Sequence, residues 1–179
     1  MDKQGRPDVR RYTDSLSYYC NMYQQFLDTI EGRKHGPGYE PDLAFKRRVH
    51  ATWGLIAKGA AAIPYALTLL GRHEAEARED AAAILEAVGK ESEVVDELLR
   101  SLSSESDLTA KDSLIIAVGG LKSRKAIPWL AKIIRDDQED RDTRWTAVES
   151  LGSVVRRRFM DQNDPLQSAL DWLANHSSE

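Results

Sequence analysis

From about residue 44 onward the chain repeats itself every ~32 residues, and that period restricts the fold more than any other feature. Ile63-Pro64 and Ile127-Pro128 open two segments 64 positions apart, and midway between them Val95-Asp96 begins an apolar run ending in Leu98-Leu99. A basic residue recurs at Arg47, Arg78, Lys111 and Arg144, at intervals of 31, 33 and 33. Each leads into a segment rich in alanine or apolar residues, and three of these end near Gly89, Gly119-Gly120 or Gly152. A period of this length has room for two short helices. Proline in the first turn of a helix loses no hydrogen bond, because that N–H has no intrahelical partner. A lone pair of such helices cannot bury its apolar face, so the pairs must stack on one another.

The units Ala62-Ile63-Pro64-Tyr65-Ala66-Leu67-Thr68-Leu69-Leu70 and Ala77-Arg78-Glu79-Asp80-Ala81-Ala82-Ala83-Ile84-Leu85-Glu86-Ala87-Val88-Gly89 together resemble a HEAT repeat of the short bacterial kind. The stretch from Lys125 through Arg144 to Gly152 is similar, whereas the unit from Glu91 to Lys122 has Asp96 in place of the proline and Lys111 in place of the arginine. The resemblance covers roughly residues 44 to 155. It implies an all-α, right-handed α-solenoid of about three to four helix pairs, with an extra N-terminal helix and a C-terminal capping helix. Residues 1–43 then form the N-terminal cap and a loop, and residues 44–179 the repeats, in one continuous domain. The motif speaks to architecture and says little about chemistry.

The ends depart from the repeat. Tyr12, Leu16, Tyr19, Cys20, Tyr23, Phe26, Leu27 and Ile30 step by three and four, which predicts an amphipathic helix over residues 12–30. Three glycines and two prolines in segment 32–41 break it. Near the other end Asp164-Pro165 reads as the N-cap and first residue of a helix carrying Leu166, Leu170, Trp172 and Leu173. The insertion Arg156-Arg157-Arg158-Phe159-Met160-Asp161-Gln162-Asn163 lengthens the period just before it.

Composition narrows the function. With 41% hydrophobic and 30% charged residues the chain is suited to a folded domain, and 11 glycines and 6 prolines are too few for a turn-rich β-sandwich. The net charge of −4 argues against a dedicated nucleic-acid binder or a polybasic membrane helix. The single cysteine, Cys20, excludes an internal disulfide and a multi-cysteine zinc site. No apolar run follows the first charges and no stretch of about 18 apolar residues occurs, so a cytoplasmic setting without a signal peptide or membrane span is expected.

No catalytic constellation, cofactor motif or metal-ligand spacing stands out. Gly36-Pro37-Gly38 lacks the lysine of a phosphate loop, and His35, His50, His73 and His176 are scattered. His50 is expected on a buried helix face, and Cys20 on the first apolar stripe reads as packing rather than a nucleophile. In HEAT families an acid in the turn between paired helices commonly meets the recurrent basic residue. By that resemblance Arg47, Arg78, Lys111 and Arg144 form a structural ladder with acids such as Glu105 and Asp136; an anion-binding stripe is the functional alternative. The triple arginine 156–158 reads either as an anion site or as cations opposing a helix dipole.

Comparison between repeats singles out a surface. One place after the recurrent basic residue stand Arg48, Glu79, Asp112 and Trp145, a row whose three charged members predict exposure to water. Four places further on come Thr52, Ala83, Ile116 and Glu149. The resemblance puts the second helices on the concave side of a solenoid, so Trp145 and Ile116, with Glu149, Asp112 and Arg48, are the candidate partner-binding residues; the loop 32–41 is a second candidate contact. Exposed aromatic and aliphatic side chains of this kind serve as interface hot spots. The expected function is a non-enzymatic protein-binding module: an adaptor, a regulatory subunit or an immunity-type inhibitor. The alternative is a nucleic-acid-acting relative of the HEAT-like alkylpurine DNA glycosylases, with Trp53 and Trp145 as its aromatics, though the chain is short and acidic for that. HEAT-like phycobilin lyases share the repeats and nothing else visible here.

Overall fold

A computed structural model describes residues 8–32 and 41–176. Among them are nine α-helices and no strand: α1 (Leu16–Gly32), α2 (Pro41–Ala57), α3 (Ile63–Leu70), α4 (Ala75–Val88), α5 (Glu91–Ser104), α6 (Leu108–Gly120), α7 (Ile127–Arg135), α8 (Arg141–Val155) and α9 (Pro165–Asn175). The chain is all-α.

Local sequence explains where the helices begin. The expected first helix starts later than residue 12, because Ser15 Oγ accepts the amide of Tyr18 at 3.1 Å and a 3-10 turn at Val9–Arg11 precedes it. Pro64 and Pro128 sit in the first turns of α3 and α7. Asp107, Asp140 and Asp164 cap α6, α8 and α9 by accepting amides of the first turn. Each aspartate satisfies donors that the helix leaves without a partner.

The chain divides into two compact units, one ending at Gly89 and the other beginning at Lys90. In the first, α1 packs on α2, α3 packs on α4, and α2 meets α4. Its core holds Tyr19, Tyr23, Phe26 and Leu27 of α1, Leu55 of α2, and Ile84 and Leu85 of α4. In the second, α5 packs on α6, α7 packs on α8, α6 lies along α8, and α9 covers α7 and α8. Leu98, Leu114, Ile115, Leu130, Leu151 and Phe159 are buried there. Each unit therefore repeats one scheme: two helix pairs whose second helices touch.

The recurrent basic residue sits in the second helix of every pair: Arg47 in α2, Arg78 in α4, Lys111 in α6 and Arg144 in α8. Contacts between successive pairs fall at the sequence period. Arg48 meets Glu79 and the Gly119 backbone rests on Ser150, each 31 positions apart, and Ser123 meets Glu91 across 32. This is repeated helix–helix packing of the kind a helical-repeat arrangement requires.

Candidate partner-binding face

The two most closely approaching helices of the second unit are held together by small residues. A Cβ on Gly119 of α6 would lie 2.7 Å from the Ser150 side chain of α8. Beside this crossing Ile115 and Ala117 are buried, while Ile116 between them is 51% exposed. On α8 Trp145 is half-buried, and the Arg141 guanidinium one turn earlier lies over its ring, 5.9 Å from the centroid. Glu149, a further turn along, is exposed. Asp112, Ile116, Trp145 and Glu149 thus belong to two helices packed side by side. Arg48 belongs to the other unit.

Asp112 stands beside Thr143. Burial pushes its carboxyl above the ordinary aspartate range, and the neighbouring charges of Asp140, Asp142 and Glu139 reinforce the shift. Asp112 Oδ1 and Thr143 Oγ1 are buried and neither completes a hydrogen bond. Next to them Lys111 Nζ reaches Glu139 at 2.6 Å.

Three members of the basic row have defined contacts. Arg78 donates to the carbonyls of Arg72 and His73, both at 2.9 Å, and Arg144 donates twice to the Ile134 carbonyl, at 3.2 and 2.9 Å. These carbonyls lie in the turn or the preceding helix of the same pair. Asp136 accepts the amide of Gln138 instead of meeting Arg144. Arg47 is half-buried and has no such contact with a described residue.

Two members of the row expected to face water, Arg48 and Glu79, turn inward instead. Arg48 is buried enough that 19% of its side chain is exposed, and it bridges α2 to α4. Its Nε donates to Asp80 Oδ2 at 2.6 Å, and its Nη2 to Glu79 Oε2 at 2.6 Å and to the Glu76 carbonyl at 3.3 Å. From α1 the Tyr23 hydroxyl donates to the same Asp80 oxygen at 2.5 Å. Burial raises the Asp80 carboxyl against the pull of Arg48 and Tyr23, and burial together with the Asp80 charge raises the Tyr23 hydroxyl well above its ordinary value. Burial opposes the Arg48 charge, but its bonds to Asp80 and Glu79 outweigh that and keep the guanidinium charged. Charge matching lets these residues turn inward: a buried cation is tolerated when acids and carbonyls surround it. The sequence carried one hint of this clamp, a tyrosine on an apolar stripe whose hydroxyl needs a partner.

One histidine also departs from expectation. His50 is exposed rather than buried, its ring against Tyr12 at 5.1 Å and Tyr19 at 5.8 Å. Burial raises the Cys20 thiol, the opposite of what a nucleophile needs. Trp53 is half-buried in α2. His35 and most of the loop 32–41 lie outside the described residues. Among the described residues no group of three or more His, Cys, Asp or Glu is placed to hold a metal ion, and no helix is long and apolar enough to cross a membrane. Compared with family models, with curated proteins and with solved structures, the chain matches none of them.

Proposed function

We propose that the protein is a non-enzymatic protein-binding module, an adaptor, regulatory subunit or immunity-type inhibitor, built as a right-handed solenoid of HEAT-like helix pairs. The ~31-residue offset between contacting second helices supports the repeat reading. The observation that carries the binding reading is the apolar surface on α6 and α8. Ile116 is 51% exposed in mid-helix, and Trp145 is only half-buried at a register position occupied by charged residues in the other pairs. Covering a partly exposed tryptophan is among the larger gains available to an interface. Asp112 and Glu149 flank this surface with charge that selects a partner's orientation.

The test uses the immobilised protein and its Trp145→Ala and Ile116→Asp variants, with Phe45→Ser in the other unit as a control. A protein retained by the wild type should be retained at least roughly tenfold more weakly by the first two variants and undiminished by the third. Circular dichroism should be unchanged in all. Equal retention by wild type and Trp145→Ala would remove this face from consideration.

A further inference from the structure

Among the described residues two that are not glycine have positive φ, Lys122 at 56° and Arg156 at 57°. Both follow a helix end. Lys122 comes after α6, its amide bonded to the Gly119 carbonyl at 3.0 Å; Arg156 caps α8, and the next amide bonds to the Gly152 carbonyl at 2.9 Å. Helix stops of this kind are usually glycine, because a Cβ strains the left-handed backbone. Here both carry a long cation, and both line the same cleft of about 450 Å³. A side chain kept where the backbone would favour its absence points to a use for that side chain.

The cleft is lined by the apolar Val148, Phe159 and Met160, of which Met160 is exposed, and by the basic Lys122, Arg156, Arg157 and Arg158. Two acids, Glu149 and Asp161, offset part of this charge, in a chain whose net charge is −4. Arg158 is engaged by Asp161 at 3.7 Å, and Arg157 lies over the Phe159 ring at 5.3 Å. The side chains of Lys122 and Arg156 have no hydrogen-bond or ion-pair partner among the described residues. A role in opposing the helix dipole does not account for them. That role requires neither a left-handed backbone nor a shared cleft, and none of the three guanidiniums donates to a described carbonyl of α8.

We infer that this cleft binds a small phosphomonoester of about mononucleotide size, its phosphate held by Arg156 and Lys122 and its apolar part against the exposed Met160. A guanidinium presents a fork that matches two phosphate oxygens, and an ammonium adds a point charge. The volume falls in the range of small-ligand sites. The inference does not rest on the α6/α8 surface being a protein contact.

The test is a two-dimensional amide NMR titration of the full chain with inorganic phosphate, adenosine 5′-monophosphate and adenosine. Phosphate and the nucleotide should give saturable shifts at residue 122 and across 149–161, tighter for the nucleotide, while adenosine gives none. Arg156→Gly and Lys122→Gly should each raise the melting temperature by roughly 2–4 °C, because strain is relieved, yet weaken nucleotide binding by about tenfold or more. Opposite movement of stability and affinity separates a ligand role from a structural one. Undiminished binding in both variants, equal shifts from adenosine, or no saturable shift from either phosphate or the nucleotide would overturn the assignment.

Discussion

At the scale of single residues, Arg48 and Asp80 set the terms for the first unit. Neither could be buried alone, since an uncompensated charge in such a place costs several kcal/mol. Together with Tyr23 and Glu79 they join three helices through two carboxylates, one guanidinium and one phenol hydroxyl. Arg48→Ala should therefore lower stability by about 3 kcal/mol in urea denaturation, much of it from leaving Asp80 without its cation. Adding Asp80→Ala should cost far less than that change does by itself, and strictly additive effects would count against the clamp. Glu74 offers a pH test. Burial disfavours its carboxylate, but hydrogen bonds from Arg72 and the backbone outweigh this and hold its pKa below the ordinary 4.5. The unfolded chain therefore takes up the proton first. The Glu74 contribution to stability is complete above pH 4.5 and is lost as pH falls through the lower folded value. In acid titrations Glu74→Gln should show a shallower loss of stability below that pH, and a slope identical to wild type would exclude this role. The sequence disclosed these charges but not their burial, because the acids that make Arg48 tolerable lie 31 and 32 positions away.

At the scale of elements, helix pairs are spaced by the smallest side chains. The Tyr19 ring of α1 lies against Gly54 of α2 so closely that a Cβ there would sit 2.1 Å from the ring. Tyr19 is wholly buried, so its ring has little room to swing away. Alanine gains about 1 kcal/mol over glycine in a helix interior, whereas overpacking of this kind costs about 1–3 kcal/mol and more when nothing can move. Gly54→Ala should thus be destabilising by about 2 kcal/mol in chemical denaturation. A stabilised variant would mean that α1 and α2 can separate at little cost. The helix starts were more legible than these spacings. Pro64, Pro128 and Asp164 act on the backbone next to them, so the sequence announces them without reference to any partner.

At the scale of the whole molecule, each unit places its second helices between other helices. α4 is covered by α2 and α3, while α6 and α8 are covered by each other and by α5 and α7. The slowest amide hydrogen exchange should accordingly map to the middles of α4, α6 and α8, with faster exchange in α9 and in Val9–Arg11. Greatest protection in α9 would contradict that packing. The proposed partner surface and the phosphate cleft both use α8, and Glu149 stands at their junction. A stable helix is a suitable platform for either, because binding residues on rigid elements keep their geometry.

The sequence by itself determined that the chain is helical, that its helices pair with a period of ~32 residues, and where several of them start. Those properties follow from apolar spacing and from cap and proline chemistry, which act within a few residues. The tertiary structure decided which charged residues turn inward. Arg48 enters a cluster of acids, Arg78 and Arg144 bond to carbonyls, and His50 stays at the surface. It also decided that Lys122 and Arg156, in left-handed backbone at two separate helix ends, share one cleft. Burial and juxtaposition are set by neighbours tens of residues away in the chain, so no local pattern announces them.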